Sequence, residues 1–194
     1  MVIGLPFWVN ASPKRKRIYS TLFILILAVV ATLAGMLVPL SPEEAQMISD
    51  QLNRTITENT AQGTLISTIF LNNFSLCLLM FIPLAGLAIG LFILFSTGMA
   101  FRAVFDMQAA SGISSATPEI QISTALLVLV LVAATFLLEY VSYAIGMTES
   151  VWLFRRLLHR RWSELKNALK LIGLVALLLI IGALVETWAL SISL

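Results

Sequence analysis

Charged side chains are absent from Ile18 to Pro42, from Asn59 to Phe101 and from Ile120 to Leu138, runs of 25, 43 and 19 residues. A water-facing helix or strand needs polar residues on its outer face, so runs of this kind do not build a soluble core. A bilayer removes that need, because about 20 apolar residues cross its hydrocarbon core as a helix rising about 1.5 Å per residue. Only 11% of the 194 residues are Asp, Glu, Lys or Arg, against about 25% in an ordinary soluble domain. Nothing shows the alternation over about ten residues that marks a membrane barrel. The sequence therefore predicts an all-α integral membrane bundle, a single transmembrane domain over residues 1–194, without a separate soluble enzyme. A net charge of +2 gives no support for nucleic-acid binding.

Spans are expected over residues 18–40, 65–101, 120–154 and 171–190. Lys14-Arg15-Lys16-Arg17 abuts the first and predicts a cytoplasmic N-terminus in a multi-pass cell-membrane protein. Ser41-Pro42-Glu43-Glu44 has the pattern of a capping box, so an extracytoplasmic helix is expected over residues 42–60. Ile48, Leu52 and Ile56 would form its apolar face, with Glu43, Glu44, Asp50 and Glu58 facing water. A second basic segment, residues 155–170, places Leu158, Trp162, Leu165 and Leu169 at helical spacing. It is expected to be a cytoplasmic amphipathic helix on membrane lipid, with Arg155, Arg156, Arg160 and Arg161 meeting anionic headgroups.

Two basic segments on one side require an even number of crossings between them, yet only three apolar blocks intervene. One long block must therefore contribute two passes or a pass plus a re-entrant piece. A straight helix of about 35 residues measures roughly 52 Å, well beyond a hydrocarbon core of roughly 30 Å. The expected bundle thus has four to five membrane passages, one broken or re-entrant, plus interfacial amphipathic helices. The break is expected in residues 120–154, which hold Glu139, Gly146, Thr148 and Glu149, with Pro83 as the alternative.

Glu139 is the most informative side chain, since a carboxylate at membrane depth costs roughly 2.5–3.5 kcal/mol on insertion scales. On a helix it shares a face with Ser142, Tyr143 and Gly146. Glu149, Glu186, Asn72 and Asn73 complete the candidate intramembrane polar set, serving either assembly or a proton or solute path. Gly86 and Gly90 form a GxxxG spacing, and with Gly146 they are expected to let helices approach closely. Cys77 and His159 have no companions at metal-ligand spacing, and no catalytic triad, zinc motif or nucleotide-binding loop is present. No cofactor or metal is expected, and the chain is not expected to be an enzyme.

Asn72-Asn73, the helix with Gly86 and Gly90, the glutamate-bearing helix and the closing span with Val185-Glu186-Thr187 together resemble the stage II sporulation protein M family, over roughly Leu71 to Leu190. Family members typically carry a Pro-His-Gly-x-x-Glu pattern. Aligned on Glu139, this chain has Ala134-Thr135-Phe136 and matches the glutamate alone. The family is multispanning, and its sporulation member is a partner and localiser of cell-wall hydrolases. The resemblance implies a noncatalytic membrane scaffold or accessory subunit that joins other membrane proteins in a hetero-complex or a homo-oligomer. The alternative it leaves open is a transport or permease subunit with intramembrane glutamates along the path.

Overall fold

The computed structural model describes residues 11–110, 122–160 and 162–193. Among these are six helices and no strand: α1 Pro13–Met36, α2 Pro42–Ala61, α3 Leu65–Met80, α4 Gly86–Ala110, α5 Ile122–Leu158 and α6 Glu164–Ser193. Four of them, α1, α4, α5 and α6, are long and apolar enough to cross a membrane. The multi-pass helical bundle expected from the charge-free runs is therefore present. Residues 1–10, the polar stretch 111–121, Arg161 and Leu194 lie outside the described residues.

Side-chain contacts give the relative directions of the helices. Thr32 meets Tyr140 at 2.7 Å and Arg17 meets Glu149 at 3.6 Å, so α1 runs antiparallel to α5. Asn73 reaches Glu139 and Ser150 reaches the Ile82 carbonyl, so α3 runs parallel to α5. Phe101 packs on Phe136 while Gly86 lies against Ser150, which makes α4 antiparallel to α5. Gly182 sits beside Leu138, and α6 is antiparallel to α5 as well. The start of α1, the α3–α4 turn and the α5–α6 turn consequently share one end, the basic end.

The break falls at residues 81–85 and not in residues 120–154, where it was expected. α5 runs 37 residues without interruption, whereas the 43-residue charge-free run folds into the antiparallel pair α3 and α4. Pro83 supplies no backbone N–H to a helical ladder. Leu84 adopts a left-handed φ of 71°, and the Ala85 N–H bonds the Pro83 carbonyl at 2.9 Å, closing a γ-turn. Gly86 completes the reversal, because a Cβ there would strike the Met80 carbonyl. Three polar side chains of α5, Glu139, Ser142 and Glu149, find partners without opening its backbone. Ser142 Oγ donates to the Leu138 carbonyl at 2.8 Å, Glu139 accepts a hydrogen bond from Asn73, and Glu149 faces Arg17. Sixteen residues make α3 roughly 24 Å long, a shorter apolar helix than the four candidate spans.

The separate basic helix expected over residues 155–170 is likewise absent. Arg155 and Arg156 close the last turn of α5, His159 and Arg160 form a turn in which Arg160 has φ 55°, and α6 begins at Glu164 with Lys166 and Lys170 in its first turns. Antiparallel packing of α5 on α6 buries Leu153, Ala168 and Val175 and draws the segment into a hairpin.

α2 is the amphipathic helix expected after the first span, and both bonds of its capping box form. Glu44 N–H donates to Ser41 Oγ at 3.3 Å and Ser41 N–H donates to Glu44 Oε2 at 2.9 Å. That backbone donor holds the Glu44 carboxyl below the usual carboxylate range. α2 packs on α4 and buries Ala45 and Ser49.

The core is held by small residues. α1 buries Ile24, Ala28, Thr32 and Gly35, and α4 buries Gly86, Gly90, Leu94, Gly98 and Ala103. A Cβ on Gly35 would enter the Phe95 carbonyl, and one on Gly98 would enter the Thr32 carbonyl. Backbone thus packs against backbone where α1 meets α4, as small residues allow in the absence of a hydrophobic drive between lipid-soaked helices.

Candidate functional site

α5 carries two carboxylates toward different surroundings. Glu139 and Glu149 are 10 residues apart, which on an unbroken helix separates them by about 15 Å and turns them by roughly 80°. The continuous helix therefore sends them to two separate polar clusters.

Glu149 lies at the basic end, with 2% of its surface exposed. Arg17 stands 3.6 Å from its Oε1 and also donates to Glu164 Oε2 at 2.6 Å. The guanidinium lies 5.4 Å from the Trp152 ring centroid, and Arg156 approaches the same ring at 5.6 Å. One arginine thus ties the start of α1 to both arms of the α5–α6 hairpin, combining charge and cation–π contact. Glu149 Oε2 and Thr148 Oγ1 are buried there without a hydrogen-bond partner among the described residues. Arg155, Arg156 and Arg160 occupy the same end.

Glu139 lies deeper, on a cavity of about 420 Å³ ringed by α2 to α6. One carboxylate oxygen accepts from Asn73 Nδ2 at 2.5 Å. Asn72, Tyr143 and Glu186 also line the cavity, so five of the six residues singled out as intramembrane polar groups converge here, and Glu149 does not. Glu186 lines the same space as Glu139, and among the described residues no arginine, lysine or histidine does. Among the described residues no three His, Cys, Asp or Glu side chains are grouped to hold a metal ion.

An aromatic wall faces these acids. Phe101 meets Phe136 edge-on at 5.4 Å between centroids, and Phe136 meets Tyr140 at 6.0 Å in the same manner. Tyr140 is fixed in turn by Thr32 of α1 at 2.7 Å. Toward the basic end the cavity stops at Tyr143. Beyond it Met80 and Met147 are fully buried, and a Cβ on Gly146 would lie 3.1 Å from Met80 and 3.2 Å from the Phe81 ring. Gly90 lies against Met147, so Gly86, Gly90 and Gly146 all sit where the α3–α4 hairpin is pressed onto α5.

Several contributors escape sequence reasoning. Arg17 reads there as an orientation signal, while its pairing with Glu149 spans 132 positions (149 minus 17) and depends on the antiparallel packing of α1 and α5. Thr135 and the Phe101–Phe136 pair are ordinary residues of apolar helices until the bundle turns them to one space, and Thr32 is one until it meets the Tyr140 hydroxyl behind that wall. For Thr32 a signal exists, since Ala28, Thr32 and Gly35 form a small-residue stripe in α1.

Fold and cavity define a polytopic α-helical membrane protein with a mostly apolar pocket that holds two carboxylates inside its bundle. The chain belongs to the stage II sporulation protein M family, whose model matches residues 22–189. That match takes in α1 and α2 as well as the region from Leu71 onward. Comparison with curated proteins and with solved structures gave no match.

Proposed function

We propose that the protein is a noncatalytic integral membrane scaffold or accessory subunit that assembles with other membrane proteins. The observation that carries this reading is the closed floor of the cavity. Met80, Phe81 and Met147 are buried between Tyr143 and the basic end, and none of them lines the cavity that holds the polar groups at depth. Polar groups that lead nowhere serve binding or register more readily than conduction. Family membership supports the same reading, because the resemblance implies a partner protein and not a catalyst. Both basic segments lie at one end, and by the positive-inside rule that end faces the cytoplasm, with α2 on the opposite side.

Capture of the tagged chain from mildly solubilised native membranes is the test. A stable complex with other membrane proteins is the expected result, and a homo-oligomer that alone supports proton-coupled flux in liposomes would sink the proposal. One observation favours that second, transport reading: Glu139 and Glu186 face the same cavity. In it Glu139→Gln abolishes flux, and unchanged flux would remove Glu139 from any such path.

A further inference from the structure

Among the described residues no cation lines the cavity beside its carboxylates. Arg17 is engaged by Glu149 and Glu164, and Arg102 by Asp106 at 2.7 Å. Glu186 makes no hydrogen bond or ion pair among the described residues, and Glu139 uses one oxygen for Asn73. A third polar group faces the same space. Tyr143 is 5% exposed and lines the cavity, yet its hydroxyl has no hydrogen-bond partner among the described residues. A tyrosine hydroxyl and two partly buried carboxylates facing one mostly apolar space suit a donor-rich positive group, because each offers acceptor capacity there.

The shape of the space narrows the choice. A bare divalent cation needs about six to eight oxygens within roughly 2.6 Å, and no three acidic, His or Cys side chains are grouped for it. A volume of about 420 Å³ lies within the roughly 300–1,000 Å³ of small-molecule pockets. Most of the lining is apolar, and the Phe101–Phe136–Tyr140 wall presents ring edges and faces to the space. A partner helix about 10 Å across has no room between α2 and α6. An alkylammonium group offers three N–H donors for Glu139, Glu186 and Tyr143, and a hydrocarbon body suits the aromatic wall.

We propose that the cavity is a binding site for a small organic ammonium, its nitrogen held between Glu139 and Glu186 and its apolar body laid along Phe101, Phe136 and Tyr140. Binding here does not depend on partner proteins, so this site and the assembly reading fail separately. The test is equilibrium binding of radiolabelled phenethylamine at neutral pH to the full chain in phosphatidylcholine nanodiscs. One saturable site per chain is expected above the linear uptake of empty discs. Glu186→Gln breaks no hydrogen bond in the fold and is expected to weaken binding at least tenfold with unchanged thermal melting. Glu139→Gln combined with Glu186→Gln is expected to abolish binding, whereas Glu58→Gln on α2 keeps it. The uncharged 3-phenylpropan-1-ol is not expected to compete at equal concentration. Absence of a saturable site in the folded wild-type chain, undiminished binding by folded Glu186→Gln, or full competition by the alcohol would overturn the proposal. Displacement by equimolar sodium chloride would replace it with a bare-cation site.

Discussion

At the scale of single residues, Glu139 and Glu149 show how far environment decides what a carboxylate does. Both sit in apolar sequence on one helix, and the sequence marks each as needing a partner. For Glu139 the partner is Asn73, 66 positions away, and for Glu149 it is Arg17. Neither pairing is visible in local spacing, because each depends on which helix lies alongside. Replacing Arg17 by Gln leaves Glu149 buried beside an uncharged group. Breaking a fully buried pair costs about 3–5 kcal/mol; with the Arg17 side chain 24% exposed, a smaller loss is expected, seen as a lower melting temperature in detergent. Adding Glu149→Gln is expected to recover part of that loss, since it removes the stranded charge. A double variant no more stable than the single one would show that the ion pair contributes little.

At the scale of elements, the spans are legible and their interruption is misplaced. Polar residues in residues 120–154 looked like the sign of a broken helix, but polar side chains do not break a helix when neighbours satisfy them. Proline does, because the missing N–H cannot be supplied from outside, and the turn stands at Pro83. Small residues set how near the elements come. Gly35→Ala places a methyl group against the Phe95 carbonyl, and neither backbone can yield without parting α1 from α4. Overpacking of this kind typically costs about 1–3 kcal/mol, a loss of folded fraction that melting in detergent will measure. Gly173→Ala is the control, because no atom lies within 4 Å of the added carbon. There a neutral effect or a gain of about 0.5–1 kcal/mol is expected from helix propensity.

At the scale of the whole molecule, the two basic segments and the Pro83 hairpin form one system. Four apolar helices, α1, α3, α4 and α5, lie between the basic segments, and both segments reach the same end of the bundle; an even number of crossings between them is expected if α3 traverses the bilayer. Cysteine labelling checks this in a Cys77→Ser background, with Gln51→Cys on exposed α2 and Ser163→Cys in the α5–α6 turn. Impermeant reagent is expected to reach the two positions from opposite faces of the membrane. Labelling of both from one face would mean that α3 does not traverse the bilayer.

Composition and the charge-free runs were sufficient to determine that this chain is a helical membrane bundle, because each crossing helix satisfies its own backbone and needs only length and apolarity. The capping box of α2 was equally readable, since its partners are three residues apart. Only the tertiary structure decided which helix gave way, which acid met Arg17, and that Glu139, Glu186 and Tyr143 share one cavity. Those outcomes depend on the direction and rotation of each helix against its neighbours. Among faces that are all apolar, close packing of small residues sets them, and hydropathy does not distinguish one such face from another.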